Sequence, residues 1–341
     1  MEKINSTTED YLYALGQNNL VYNDDFRYFS NQISRNGAII YGIPDGWLYN
    51  DSGANGKISF DSNANQLVIL KSQTSDEMTF RQALHEFPRW KQMLPGETVS
   101  AQVVLNLKVS GDVTVQLSDG IDSSSVTVSQ TGDHELNLLH IINPLATKLM
   151  LTVLSKIPNA EIRISRCCTN LGLISLKNLP CIIQGVIGER RQYIATEFAP
   201  EGEFSLCNPP VELDANYTRL NSILNYRFGK GPNGFSMLLD MRGYFSRAWN
   251  NQATVDMNAT ERKAPGTGTI TGDHVSTFEN DIFKKHDHGL KFSTTAMIPP
   301  GNGPTPMSII DTKSTSKTDI EADGLETRPK NIAELYTIKW A

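Results

Sequence analysis

Val99-Ser-Ala-Gln-Val-Val-Leu-Asn-Leu-Lys-Val109 alternates apolar with polar or small side chains. That is the period-two pattern of a strand with one face turned to a core. The pattern recurs at Asp112 to Leu117, Ser125 to Ser129, Lys148 to Leu154 and Ala160 to Arg166. Between these runs stand Ser110-Gly111, Ser118-Asp119-Gly120 and Thr131-Gly132-Asp133, residue types that favour turns. Short alternating strands at this spacing predict an antiparallel β-sandwich over residues 21–172. A span of about 150 residues suits one such domain.

The chain of 341 residues has room for further domains, and its 39% hydrophobic and 20% charged residues describe a folded protein. A formal net charge of -6, with no Lys/Arg cluster longer than a dipeptide, speaks against nucleic acid as a partner. No apolar stretch approaches membrane-spanning length, so no membrane insertion is expected. Residues 1–16 carry no apolar run of signal-peptide length, which predicts synthesis in the cytoplasm without a signal peptide. Cys167, Cys168, Cys181 and Cys207 form no C-x-x-C pair and read as buried, reduced thiols. Thr7 to Asn18 predicts a short helix, too short to stand alone.

Within the sandwich, Pro44-Asp45-Gly46-Trp47 precedes a strand. Met78-Thr-Phe-Arg-Gln-Ala-Leu84 leads on to Leu94-Pro-Gly-Glu-Thr-Val-Ser100. The order resembles the jelly-roll carbohydrate-binding modules, which implies a sandwich binding glycans on one face or at its loop ends. Trp47, Tyr49 and Trp90 are the candidate ligand-binding aromatics, because a ring stacks on the apolar face of a sugar. A Trp in a sandwich is also the residue type that fills its core. Asp24, Asp25 and Asp45 could ligate Ca²⁺ or serve turns and caps, the second being the commoner duty.

From Pro180 the pattern changes. Glu203-Phe-Ser-Leu-Cys207 and Tyr217-Thr-Arg-Leu-Asn-Ser-Ile-Leu224 come first. Tyr226-Arg-Phe-Gly-Lys-Gly-Pro-Asn-Gly-Phe235, Leu238-Leu-Asp-Met-Arg-Gly-Tyr-Phe245 and Arg247-Ala-Trp249 follow in order. Tyr217, Leu220, Ile223 and Leu224 are spaced for a helix over 215–225. Asp240 and Arg242, two apart, can face one side and form a bidentate pair; with Gly243 they are expected to be structural. This run resembles the phage tail-collar domain of tail fibres, with Leu239 and Met241 as apolar departures from the family's Pro and Leu. The chain end, Glu326-Thr-Arg-Pro-Lys-Asn-Ile-Ala333, resembles the terminus of many tail-fibre tips.

Residues 263–329 are mostly Gly, Thr, Ser, Pro, Asp and Lys, too polar to repay their ordering entropy alone. They lead into an alternating strand from Ile332 to Trp340, which suggests order borrowed from other copies of the chain. Tail-fibre tips carry His-x-His in this loop; here it is His286-Asp287-His288. Two imidazoles are a poor metal site, but three chains supply six, enough for an octahedral shell. The resemblance thus implies one transition-metal ion per trimer, Fe²⁺ first and Ni²⁺ or Zn²⁺ as alternatives, held as a staple. His274, His85, His134 and His140 are not expected among the ligands.

The sequence therefore predicts four parts: an attachment segment 1–20, a β-sandwich 21–172, a tail-collar domain 173–260 and an intertwined tip 261–341. The fold is expected to be mainly β, and the protein a homotrimeric receptor-binding fibre tip recognising a bacterial surface glycan such as lipopolysaccharide. Its expected place is a virion tail or a tail-derived extracellular fibre, held through its N-terminal segment by a fibre or baseplate protein. No catalytic residue is expected, since no nucleophile elbow, H-E-x-x-H or phosphate loop is present. A tailspike-like depolymerase and a structural fibre connector are the alternatives.

Overall fold

The computed structural model describes residues 13, 16–35, 38–53, 55–280 and 331–341. The chain divides into one compact unit, Met1–Glu279 with Glu334–Ala341, and a second, Asn280–Ala333. Nearly all of the second lies outside the described residues, as do His286, His288 and most of the expected helix at Thr7 to Asn18.

The described strands are β1 (Ile33–Arg35), β2 (Ala38–Ile40), β3 (Leu48–Asn50), β4 (Lys57–Asp61), β5 (Gln66–Leu70), β6 (Met78–Ala83), β7 (Thr98–Leu107) and β8 (Val113–Ser118). They continue as β9 (Ser123–Val128), β10 (Gly132–Ile141), β11 (Met150–Ser155), β12 (Glu161–Leu171), β13 (Arg190–Tyr193), β14 (Glu203–Ser205) and β15 (Leu335–Lys339). Beside these strands stand the short helices α1 (Trp90–Met93) and α2 (Thr218–Leu224). Five strands in the order β10-β7-β12-β5-β4 form one sheet, and five in the order β3-β6-β11-β8-β9 form another. Every pairing within them is antiparallel. The protein is mainly β, and the jelly-roll-like antiparallel sandwich expected from the sequence is present.

Alternation explains the packing. Val99, Ala101, Val103, Leu105 and Leu107 of β7 enter the core with Val113, Val115 and Leu117 of β8 and Leu151 and Val153 of β11. A one-residue slip in any of these strands would turn its whole apolar set outward, so the register is firmly fixed. Cys167 joins this core and Cys168 is buried on the same strand, both as free thiols.

Trp47 belongs to that core as well. It is 0% exposed and lies parallel to Phe80, with ring centroids 4.5 Å apart. A ring sealed between the sheets cannot stack on a sugar, so Trp47 is a packing residue and not a ligand-binding one. The Pro44-Asp45-Gly46 turn in front of it explains why. Asp45 accepts the backbone N–H and hydroxyl of Ser30, which is turn duty. Gly46 has φ +82 and lies so close to the Tyr22 ring that a Cβ there would collide with it.

A second apolar cluster gathers Ile183, Ile187, Leu206, Leu213, Leu220, Ile223, Leu224, Phe228, Leu238 and Met241 with Ile338. It is built around α2, where Leu220, Ile223 and Leu224 face inward at helical spacing. Tyr22, within the sandwich segment but ahead of its first strand, packs into this second cluster. Its hydroxyl accepts the N–H of Ile187 at 3.2 Å. The residues on either side of position 172 are therefore locked together by buried contacts.

β15 is the middle strand of a three-stranded sheet in the order β13-β15-β14. Leu335 to Ile338 pair with Tyr193 to Arg190 on one side, and Lys339 to Thr337 with Glu203 to Ser205 on the other. The C-terminal strand finds both partners in its own chain. Most of the polar segment 263–329, for which order borrowed from other copies is expected, lies outside the described residues.

Candidate functional site

A cleft of about 500 Å³ lies between the α1 corner of the sandwich and the three-stranded sheet that β15 completes. Phe87, Arg89, Trp90, Lys91 and Gln92 line one side, and Pro200 to Phe204, Tyr217 and Trp340 line the other. Volumes of this order are typical of small-ligand sites.

Local structure places each wall. Arg89 takes φ +62 immediately before α1, a left-handed step that reverses the chain and presents Trp90 at the rim. The Trp90 ring is half-buried and meets the edge of His85 with centroids 4.8 Å apart; Lys91 Nζ stands 5.8 Å over it. On the far wall, Tyr217 meets Phe204 edge-on at 4.7 Å and Trp340 edge-on at 5.1 Å. Trp340 is fixed there because its N–H and that of Ala341 both donate to the carbonyl of Gly202, at 2.8 and 3.1 Å. Gly202 itself has φ +88, and a Cβ there would sit 3.0 Å from the carbonyl oxygen of Ala341. Glycine is thus required for the chain end to dock.

Polar groups frame the rings. Arg89 Nε and Nη2 donate to Glu201 Oε1 at 3.2 and 3.1 Å, a bridge between the two walls at the solvent edge. Deeper in, Glu203 Oε1 accepts from Arg191 Nη1 and the Tyr193 hydroxyl, each at 2.9 Å, and Oε2 accepts from Thr337 Oγ1. Burial pushes the Lys339 ammonium down and the Tyr217 phenol up from their ordinary values. The arrangement offers aromatic faces for stacking and charged hydrogen-bonding groups for hydroxyls.

Of the aromatics singled out in the sequence, only Trp90 reaches this cleft. Tyr49 sits on β3, half-buried against the sandwich core, with its hydroxyl donating to Asp51 at 2.9 Å. Burial, together with that carboxylate, raises its pKa. Tyr217 and Trp340 were legible only as a helix face and a strand end, so their membership of a site went unread. Asp240 and Arg242 form the expected bidentate pair: Nε lies 3.0 Å from Oδ1 and Nη2 2.7 Å from Oδ2. The guanidinium holds the Asp240 carboxyl below the usual carboxylate range. Gly243 follows in a turn at φ +79. Among the described residues no group of three or more His, Cys, Asp or Glu side chains could hold a metal. Among them, too, no helix is long and apolar enough to cross a membrane.

No family model matches the chain. Protein RhiB of Rhizobium leguminosarum bv. viciae is 26% identical over 166 residues, 48% of this chain and 75% of that protein. Among solved structures, the enzymatically active domain of bacteriophage CBA120 tailspike protein 4 is 12% identical at TM-score 0.33. That overlap covers 45% of this chain and only 21% of the tailspike chain. TmCBM61, solved with β-1,4-galactotriose, is 14% identical at TM-score 0.31 over 45% of this chain and 99% of its own. The CBM22-1 xylan-binding domain of Paenibacillus barcinonensis Xyn10C is 12% identical at TM-score 0.30, over 45% and 94% of the two chains. Overlaps at these scores carry no argument about what this chain binds.

Proposed function

We propose that this chain is a homotrimeric receptor-binding protein of a phage tail fibre, or of a tail-derived extracellular fibre, and that it recognises a bacterial surface glycan. The observation that carries the glycan reading is the cleft itself. Trp90, Tyr217 and Trp340 present aromatic surface within it, and Arg89, Lys91, Gln92, Glu201 and Glu203 surround them. Sugars offer apolar ring faces and rims of hydroxyls, the complement of that lining. A single weak sugar contact becomes useful adhesion when three copies act together.

Two features support assembly. Ile194, Phe198, Val255 and Met257 are each more than 80% exposed, and Phe245 and Trp249 are exposed beside them in sequence. Apolar side chains left open in this way would be covered wherever copies of the chain meet on them. His286 and His288 supply two imidazoles per chain, so a trimer would bring six to one transition-metal ion. The N-terminal segment would be gripped by a fibre or baseplate protein.

Glu201 and Glu203 also line the cleft, which keeps a polysaccharide depolymerase as the competing reading. Each carboxylate is answered by an arginine, Arg89 and Arg191 respectively, and this favours holding a sugar over cutting it. Purified lipopolysaccharide and capsular polysaccharide titrated against the intact protein decide between them. Saturable binding with unchanged polymer length and no new reducing ends is expected. Steady release of reducing ends would replace the adhesin reading with the depolymerase.

A further inference from the structure

We propose that Ser124, His140 and Asp119 form a second site away from the cleft, a base-activated serine that accepts short acyl esters. The three residues meet where the outer strands of the two sheets, β9 and β10, run beside each other. Ser124 is half-buried on β9, His140 is buried on β10, and Asp119 is fully buried in the turn after β8. His140 Nδ1 lies 3.0 Å from Ser124 Oγ, and His140 Nε2 lies 3.2 Å from Asp119 Oδ2.

The carboxylate end is firmly set. Asp119 Oδ1 accepts the N–H groups of Ile121 and Asp122 at 2.8 and 2.7 Å, and Oδ2 accepts that of Asn143 at 2.7 Å. Burial alone would raise the Asp119 pKa, but these donors outweigh it and hold the carboxyl below the usual range. An ionised carboxylate at Nε2 selects the tautomer with its proton on that nitrogen. Nδ1 then turns a lone pair to the Ser124 hydroxyl. These are the roles of nucleophile, base and orienting carboxylate found on unrelated folds, here with the two ring nitrogens exchanged relative to the serine-protease arrangement.

The turn itself does not explain the set. Three backbone donors satisfy Asp119 without His140, and nothing in the turn requires a hydroxyl at position 124. Ile121 and Leu145 are exposed on the two loops that Asp119 ties together, which offers apolar surface to a short acyl chain. In the reaction, Ser124 Oγ bonds to the ester carbonyl carbon as its proton passes to His140 Nδ1. The bond from that carbon to the alcohol oxygen breaks, and the alcohol leaves with the proton. Water, deprotonated in turn by His140, then releases the acid and restores the serine.

The test treats the intact chain with a fluorophosphonate probe, and separately with p-nitrophenyl acetate, and reads intact mass and peptide maps. One adduct per chain at Ser124 is expected. It should vanish in Ser124→Ala with the melting temperature unchanged, and form at least about 100-fold more slowly in His140→Gln, the usual worth of a general base. Absence of an adduct on the folded protein overturns the proposal, as does labelling that survives Ser124→Ala. If His140→Gln fails to fold, the mapped adduct and Ser124→Ala decide alone. Glycan binding should be untouched by Ser124→Ala, so this site and the cleft stand or fall separately.

Discussion

The Glu86 carboxylate accepts the backbone N–H groups of Thr218 and Arg219 at 2.6 and 2.8 Å, while the Arg219 guanidinium returns to the Glu86 carbonyl at 3.3 Å. Residues 133 positions apart thus cap each other: a side chain of the sandwich terminates α2, and a side chain of α2 terminates the loop after β6. Arg219 also reaches the carbonyl of Leu20 at 2.8 Å. Both groups are almost wholly buried, and burial pushes the carboxyl up and the guanidinium down. Glu86→Ala would strand two helix N–H donors and a buried cation. A loss of about 3 kcal/mol is expected. Thermal unfolding should fall by roughly 6–12 °C, and a variant that melts like the parent would refute the mutual cap.

The three tryptophans 47, 90 and 340 should separate fold from binding. Trp47→Ala removes a sealed ring stacked on Phe80, so it should cost about 3–5 kcal/mol and leave little folded protein. Trp90→Ala and Trp340→Ala act at the rim and wall of the cleft. Each should weaken glycan binding about tenfold, the worth of about 1.4 kcal/mol, with Trp90→Ala barely changing stability. Calorimetric titration beside thermal melts reads both quantities. Unaltered affinity in both variants would remove the cleft as the sugar site.

That division marks what the sequence could and could not reveal. Period-two alternation placed the strand at Val99 to Val109 within two residues of the observed β7, and the 3.6-period of Tyr217, Leu220 and Ile223 placed α2. Asp240 and Arg242 were legible because the pair is local, two residues apart. The cleft was not legible, because Trp90, Tyr217 and Trp340 are joined only by pairings such as Phe204 with Ile338. Trp47 misled for a related reason. The side chains that seal it, Phe26 and Phe80, come from separate segments, and a lone Trp after a turn keeps the platform reading open beside the commoner core one.

His85 should make the sandwich acid-sensitive. Its Nδ1 accepts the N–H of Leu149 at 3.1 Å, and burial holds its pKa down to about 4 against an ordinary 6.5. The folded state binds this proton less tightly than the unfolded state, so the contribution is complete above 6.5 and is lost as pH falls towards 4. Its slope is about 1.4 kcal/mol per pH unit at most. Denaturant titrations of the parent and His85→Gln between pH 7 and 4 isolate this term from the carboxylates. The parent should lose more stability than the variant across that window; parallel curves would show that His85 is not the sensor.

Assembly has its own measurement, native mass spectrometry of protein purified without chelators. A single species of three chain masses plus one transition-metal ion is expected, because six imidazoles complete an octahedral shell where two cannot. His286→Ala with His288→Ala should give a metal-free species. That species should stay trimeric if the exposed apolar residues between Ile194 and Met257 hold the copies together, since a staple adds to an interface without replacing it. Trimers without metal in the parent would remove His286 and His288 from the ligand role and leave the fibre reading standing. A clean monomer would remove the trimer. The cleft and its tryptophans would then describe a single-site glycan-binding protein, whose affinity could gain nothing from neighbouring copies.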